Sequence, residues 1–246
     1  MRADERLVAL GLAESRNQAR RLIEAGAVTL DGQVLRKPAR SVGDASTLVV
    51  TAPLRFVSRG GDKLAGFLDA FDIEVNGAFA LDAGASTGGF TDCLLQRGAQ
   101  GVVCVDVGHG QLHPRLARDH RVVNIEGVNV RELDTAALPR EAFDRVVADL
   151  SFISLTRVLP ALWGRVAARG CAIALIKPQF EAGKAVMDAC GGVLRDPAVQ
   201  AQCRDAVLAF AAEHLPGCDL IGHCESPITG TDGNREFLAG WRRLSA

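Results

Sequence analysis

Two stretches of this chain hold residues whose types and spacing could do chemistry on a ligand. Leu81 to Asp92 reads Leu-Asp-Ala-Gly-Ala-Ser-Thr-Gly-Gly-Phe-Thr-Asp, and Cys104-Val105-Asp106-Val107 follows downstream. In the first, an apolar strand (Phe79, Ala80, Leu81) runs into Asp82, then into a turn crowded with Gly84, Gly88 and Gly89, and a helix follows from about Phe90. In the second, the apolar run from Val102 to Val105 ends in Asp106. Glycines let backbone amides approach a ligand closely, and a carboxylate ending the next strand can bind ribose hydroxyls. The layout predicts a nucleoside cofactor at the strand ends of a Rossmann-like sheet, with Asp82, Gly84, Ser86, Thr87, Gly88, Gly89, Phe90 and Asp106 around it.

The spacing narrows the cofactor. A dinucleotide fingerprint G-x-G-x-x-G starting at Gly84 would need a glycine where Ser86 stands, and no Gly-Lys-Ser/Thr follows the turn to make a phosphate loop. Asp82 inside the first motif favours a cationic or amine-bearing ligand over a pyrophosphate. S-adenosylmethionine fits, with a zwitterionic amino-acid end, a positive sulfonium and a ribose whose two hydroxyls suit Asp106. Three further positions stand where an α/β sheet exposes polar groups: Lys63 in Ser58-Arg59-Gly60-Gly61-Asp62-Lys63, Asp149 after Val146-Val147-Ala148, and Lys177 after Ala172 to Ile176; a fourth, Glu236, lies between Arg235 and Phe237 near the C-terminus. His109, His113 and His120 lack metal-ligand spacing with acids or cysteines, so no metal is expected.

Elements must position these groups. Candidate strands are Phe79–Leu81, Gly101–Val105, Val122–Ile125, Arg145–Ala148, Cys171–Ile176 and Asp219–His223, separated by helical runs at Thr91–Gln96, Gln111–Ala117, Leu155–Arg165 and Pro197–Glu213. Strands alternating with helices predict a parallel sheet with helices on both faces, ligands gathering at the strand carboxyl ends. Ahead of this body lies a smaller α+β pattern. Arg2 to Leu12 reads as a short helix, and Ser15 caps a second in which Ala19, Leu22 and Ile23 recur at helical spacing. Asp31-Gly32 joins two short apolar runs as a hairpin, and Thr47 to Val50 closes the unit. The expected division is 1–52, a linker over 53–57, and 58–246.

Composition agrees with a folded enzyme-sized chain. Of 246 residues, 48% are hydrophobic and 23% charged, without a long polar tract. No apolar run approaches the roughly 18 residues of a membrane helix, and the N-terminus lacks the apolar core of a signal peptide. Seven cysteines stand singly, as reduced cytosolic thiols do. A cytoplasmic protein is expected, acting as a monomer and without membrane attachment. Net charge is −1, but its distribution is uneven: residues 1–60 hold 10 Lys or Arg against 6 Asp or Glu, and the remainder holds 18 against 23. A small basic module on a mildly acidic body points to a polyanionic partner.

The spaced pattern S-R-x-x-A-x-x-L-I-x-x-G-x-V-x-x-x-G from Ser15 to Gly32 resembles the alpha-L RNA-binding module named after a small-subunit ribosomal protein. That resemblance implies that Arg16, Arg20, Arg21 and Lys37 contact RNA phosphates. The order Lys63, Asp149, Lys177, Glu236 resembles the catalytic tetrad of RNA 2′-O-methyltransferases of the FtsJ type. From Arg2 to about Leu238 the chain resembles the TlyA (haemolysin-A-like) family of ribosomal RNA 2′-O-methyltransferases, through SRGGDKL (58–64), LDAGASTGGFTD (81–92), DVGHGQL (106–112), ADLSFISL (148–155), IKPQFE (176–181), GGVLRD (191–196) and GNREFL (233–238). At His109 the family often has an aromatic or small residue instead. The resemblance implies a class I methyltransferase domain using S-adenosylmethionine, ribosomal RNA or ribosomal subunits as partner, cytidine as target, and Glu126 or Asn129 near the adenine.

The implied chemistry suits the four groups. A ribose 2′-hydroxyl attacks a methyl carbon in line with the breaking C–S bond. Lys177 would accept or share the hydroxyl proton, Asp149 and Lys63 would hold its position and charge state, and Glu236 would orient Lys63 or the ribose. A free lysine titrates near about 10.4, so half-neutrality at neutral pH requires roughly 4.6 kcal/mol of differential stabilisation. A second ammonium would supply part of this and Asp149 would oppose it, which gives positioning a large share. Three rivals are weaker. A pseudouridine synthase would need no glycine-rich nucleoside turn, a non-enzymatic ribosome-binding protein would not need Asp82, Asp106 and Lys177, and a membrane-lytic protein would need an apolar span.

Overall fold

The computed structural model describes residues 1–132, 138–230 and 233–245. The chain forms two compact units, Met1–Arg55 and Phe56–Ala246.

In the first unit, α1 (Ala3–Ala9) and α2 (Arg16–Glu24) pack on a three-stranded sheet of β1 (Val28–Leu30), β2 (Gln33–Val34) and β3 (Leu48–Val50), ordered β2-β1-β3. Ser15 caps α2, its hydroxyl accepting from the Gln18 amide at 3.2 Å. Asp31 and Gly32 both take positive φ (51° and 80°), the geometry of a two-residue hairpin turn. Leu7, Ala19, Leu22, Ile23, Val28, Leu35 and Leu48 make this unit's own core, with Leu54 packed against it. Each fully buried aliphatic there contributes about 1.5–3 kcal/mol. The first helix is shorter than the sequence pattern suggests, because Leu10 caps it and Gly11 follows at φ 69°.

The second unit is a seven-stranded sheet ordered β6-β5-β4-β7-β8-β10-β9. Its chain runs α3 (Gly60–Ala70), β4 (Phe79–Ala83), α4 (Gly89–Gln96), β5 (Gly101–Asp106), α5 (Pro114–Ala117), β6 (Val122–Glu126) and β7 (Phe143–Ala148). It continues through α6 (Leu159–Trp163), β8 (Val166–Ile176), α7 (Pro178–Glu181), α8 (Lys184–Ala189), α9 (Pro197–His214), β9 (Cys218–Glu225) and β10 (Phe237–Arg243). Central strands are buried on both faces. Ala172, Ala174 and Ile176 of β8 meet α6 and α9, while Cys171, Ile173 and Leu175 meet the layer built on α3 and α4. That two-sided burial is why these strands read as continuous apolar runs rather than alternating ones.

The sheet departs from an all-parallel expectation at one edge. β10 runs antiparallel to both β8 and β9. Its sequence, Phe-Leu-Ala-Gly-Trp-Arg-Arg, has no period-2 alternation because its first five residues are buried. The expected helix over 155–165 is a 3₁₀ turn (Leu155–Arg157) followed by α6, and that over 111–117 begins only at Pro114, where His113 caps it. Strand β4 runs on through Asp82 to Ala83, two residues beyond its apolar run.

Topology sets the site. The chain lays β4, β5 and β6 outward in one direction, then returns to place β7 on the other side of β4. Loops leaving β4 and β7 therefore diverge, and a crevice opens at the carboxyl ends of these strands.

Candidate active site

The crevice is a cavity of about 390 Å³ lined by the loops after β4, β5, β6 and β7. That is in the lower range of small-molecule sites. Of the sequence-predicted residues, Gly84, Ser86, Asp106, Asn129 and Asp149 form its wall. Val107, Gln111, Val130, Leu150, Ser151, Phe152, Ile153 and Val158 complete it.

Gly84 leaves β4 at φ 80°, and a Cβ there would stand 2.6 Å from the Asp149 carbonyl oxygen. Only glycine lets the two diverging loops meet. Ser86, with a left-handed φ of 46°, donates its amide to Asp106 Oδ2 at 2.8 Å, and the Gly108 amide donates to Asp106 Oδ1 at 2.7 Å. Asp106 thus ties the glycine turn to its own loop. Each carboxylate oxygen accepts about two hydrogen bonds, so each keeps capacity for a ligand hydroxyl. Ser86 Oγ donates to Gln111 Oε1 at 2.9 Å, and Asn129 Oδ1 accepts from the Arg131 amide at 3.1 Å.

The other predicted cofactor residues stand around the cavity rather than in its wall. Asp82 is fully buried in β4, and its Oδ2 accepts from the Thr91 amide at 2.9 Å and the Thr91 hydroxyl at 2.6 Å, pinning the first turn of α4. Its Oδ1 is buried with no partner. Burial pushes the carboxyl up to about 7, against the two Thr91 hydrogen bonds and with help from Asp149 and Asp106. Thr87 accepts from the His113 amide at 3.2 Å, and Gly88 caps α4 beneath Leu112 and Leu116. At Gly89 a Cβ would stand 2.9 Å from the Gly61 amide nitrogen, which sets how closely α3 approaches α4. Phe90 is a core residue. Glu126, half-buried at the end of β6, accepts the Gly110 amide at 3.0 Å on both oxygens and Asn124 Nδ2 at 2.9 Å; the Gly110 bond first and the Asn124 bond second hold its carboxyl low.

The four candidate catalytic side chains form two ion pairs at one end of the sheet. Lys177 Nζ lies 2.6 Å from Asp149 Oδ1 and donates to Ser151 Oγ at 3.0 Å. The Asp149 contact is a close ion pair without hydrogen-bond alignment, which leaves Oδ1 without an aligned donor. Lys63 Nζ donates to Glu236 Oε2 at 2.5 Å, both side chains nearly sequestered from solvent. Strand register joins the pairs, because Phe237 pairs with Ile176 and so sets Glu236 and Lys177 side by side at the ends of β10 and β8.

Sequence reading missed Ser151, Gln111 and Phe152. Ser151 and Phe152 stand two and three residues after Asp149, a spacing that carries no chemical signature of its own. Phe152 is 91% exposed and holds φ 63°, a left-handed conformation rare for a bulky residue, with its ring 5.3 Å from Phe180. Exposure of a large aromatic at a cavity rim is legible only in three dimensions.

In the first unit, Asp4 is buried and accepts from Arg2 Nε at 2.9 Å and Nη2 at 3.0 Å and from Arg16 Nη2 at 3.3 Å. The Arg2 hydrogen bond foremost holds its carboxyl down at about 2, with Arg16 adding to it against burial. Arg16 also lies 3.3 Å from Glu5, and Arg20 pairs with Glu24 at 3.9 Å one helical turn on. Arg21 is half-buried and Lys37 exposed. Among the described residues no three His, Cys, Asp or Glu side chains group to hold a metal, and no helix is long and apolar enough to cross a membrane.

Comparison with known proteins matches both units. The FtsJ-like methyltransferase family matches residues 56–243 and the S4 domain matches residues 1–47. The 16S/23S rRNA (cytidine-2′-O)-methyltransferase TlyA of Mycobacterium tuberculosis is 49% identical over 246 residues, covering 98% of this chain and 89% of its own. A solved structure named "Putative hemolysin from Streptococcus thermophilus" is 38% identical with a TM-score of 0.76, over 100% of this chain and 89% of that one. The N-methyltransferase NodS from Bradyrhizobium japonicum, solved with S-adenosyl-L-homocysteine, shares the fold alone: 15% identity and a TM-score of 0.53 over 76% of this chain and 89% of that one. Two matched units in this order, and identity at this level along the whole chain, mean that the chain belongs to the TlyA family, an S4 domain followed by an FtsJ-like methyltransferase domain.

Proposed function

We propose that this chain transfers a methyl group from S-adenosylmethionine to the 2′-hydroxyl of a cytidine in ribosomal RNA. One observation carries the reading: Asp149, which Lys177 pairs with, lines the same cavity as the Asp106 carboxylate. The relatives' named activity agrees with it.

When bound, S-adenosylmethionine supplies a methyl on a positively charged sulfur. Asp106 is suited to its ribose hydroxyls, Gly84 and Ser86 to its amino-acid end, and Asn129 with Val130 to its base. Asp82 acts from beneath, holding α4 and the glycine turn in place through Thr91. Lys177, fixed by Asp149 and Ser151, holds the attacking 2′-oxygen in line, and the hydroxyl proton passes to the Lys177–Asp149 pair. Glu236 holds Lys63 beside this pair. Phe152 offers an exposed flat face at the rim on which a base turned out of its stack can rest. The first unit supplies RNA attraction through Arg16, Arg20, Arg21 and Lys37. The reaction takes place where ribosomal RNA is, in the cytoplasm.

The reading is tested by offering labelled S-adenosylmethionine and ribosomal subunits that lack the mark to the full chain. Label appearing in RNA with the wild type and not with Lys177→Ala supports it, and no transfer by the wild type to any subunit contradicts it.

A further inference from the structure

The loop after β7, residues 149–154, carries Asp149, Ser151 and Phe152 onto the cavity wall. It is gripped from one direction by a single turn of chain at the end of β8. Lys177 holds Asp149 and Ser151, the Phe180 ring meets Phe152, and Glu181 reaches the far end. There Glu181 Oε2 accepts from Ser154 Oγ at 2.6 Å and Oε1 accepts from the Leu155 amide at 2.8 Å. Lys177 is accounted for by the reaction; Glu181 is not.

Capping of the 3₁₀ turn does not by itself explain this carboxylate. Ser154 already caps that turn, its hydroxyl accepting from the Thr156 amide at 3.3 Å. Glu181 is partly buried, and burial pushes its carboxyl up against the Ser154 and Leu155 hydrogen bonds that hold it down. A desolvated acid costs stability. What it adds is a tie between the two loops that bear the reacting groups. Phe152 sits at φ 63°, and such backbone persists only where its surroundings over-determine it.

We propose that Glu181 is a positioning residue for methyl transfer, locking the 149–155 loop onto the turn that carries Lys177 so that Ser151 and Phe152 keep their places at the cavity. This rests on the methyl-transfer reading above. Glu181 itself does not line the cavity.

The test uses the full chain with Glu181→Ala, Glu181→Gln, Ser154→Ala and the Glu181→Ala/Ser154→Ala double variant. Single-turnover transfer is measured at saturating cofactor and ribosomal subunits, with rates scaled to the folded fraction from thermal unfolding and cofactor affinity from calorimetry. Glu181→Ala is expected to lower the rate about 10- to 100-fold, the cost of a small misplacement, while weakening cofactor binding by less. Glu181→Gln is expected to recover most of the rate, since its amide oxygen can accept from Leu155 and its amide nitrogen can donate to Ser154. Ser154→Ala is expected to lower the rate in the same direction, and the double variant to fall short of the two losses combined. A wild-type rate in folded Glu181→Ala overturns the proposal, as does equal loss in the Ala and Gln variants, or full additivity with Ser154→Ala. A wild type without transfer activity would instead overturn the methyl-transfer reading.

Discussion

Arg16 in the first unit and Lys177 in the second are both cations bound to aspartates, yet their settings are opposite. Arg16 keeps 56% of its side chain exposed and lies 3.3 Å from Asp4 and from Glu5. Lys177 keeps 11% and lies 2.6 Å from Asp149; Lys63 keeps 9% beside Glu236. The Arg16 guanidinium lies in solvent, where a charge contact is weak and screened by salt, and Arg2 also holds the buried Asp4, so Arg16 can exchange carboxylate for phosphate while Asp4 stays paired. Breaking a pair buried at both ends, as Lys63–Glu236 is, costs about 3–5 kcal/mol, because one charge is left behind unpaired. The first unit is built to offer charge, and the second to hold charge still. Attraction for RNA and the geometry of the reaction should therefore fail separately.

The sharpest break is Lys177→Ala. Methyl transfer is expected to fall by roughly 10²–10⁴-fold, with RNA and cofactor binding kept. Lys177→Arg should fail as well, since a guanidinium stays protonated and its fork does not fit the place of an ammonium. Single-turnover transfer with binding measured alongside checks both, and near-wild-type turnover in Lys177→Ala would remove that lysine from the chemistry. Asp106→Ala comes next: loss of hydrogen bonds to a charged group is expected to weaken S-adenosylmethionine by about 10- to 100-fold in calorimetry.

Charge reversal in the first unit sharpens the contrast from the other side. Arg16→Glu and Arg20→Glu are expected to weaken RNA binding and to flatten its salt dependence, by a slope of about 0.7–0.9 for each phosphate no longer neutralised. Turnover at saturating RNA should stay near wild type. A fall in that turnover with binding intact would show that the surface cations also set the geometry.

The smallest effect concerns Asp82. Its carboxyl is pushed up to about 7 from a reference of 3.8, chiefly by burial. The folded protein therefore binds that proton more tightly than the unfolded chain does. The resulting stabilisation is complete below 3.8 and lost as pH rises through about 7. Asp82→Asn, which cannot ionise, should make the thermal midpoint decline less steeply across that window. A decline as steep as that of the wild type would assign the pH dependence to other groups.

Much of this arrangement could be read from the chain because its signals are local. The glycine turn, Asp106 after an apolar strand and the Asp31-Gly32 hairpin each follow from neighbouring residues, and each sits where its spacing indicates. What escaped was non-local. The β10 strand lacks alternation because both its faces are covered, and its antiparallel direction depends on packing beside β8. Asp82 reads as a ligand contact from its position in the motif, yet the pleat of β4 turns it towards Thr91, beneath the turn. The Lys63–Glu236 pair joins residues far apart in sequence; the family resemblance names Lys63 or the ribose as the partner of Glu236, and the closing strand brings Glu236 to Lys63.

The most direct test of the central claim is the chemical position of the transferred methyl. Ribosomal subunits lacking the mark are incubated with isotopically labelled S-adenosylmethionine and either the wild type or Lys177→Ala, then digested to nucleosides and resolved by mass spectrometry. The account predicts label in 2′-O-methylcytidine with the wild type, and its appearance slowed roughly 10²–10⁴-fold with the variant. Label on a base atom, or 2′-O-methylcytidine formed equally well by Lys177→Ala, would contradict it.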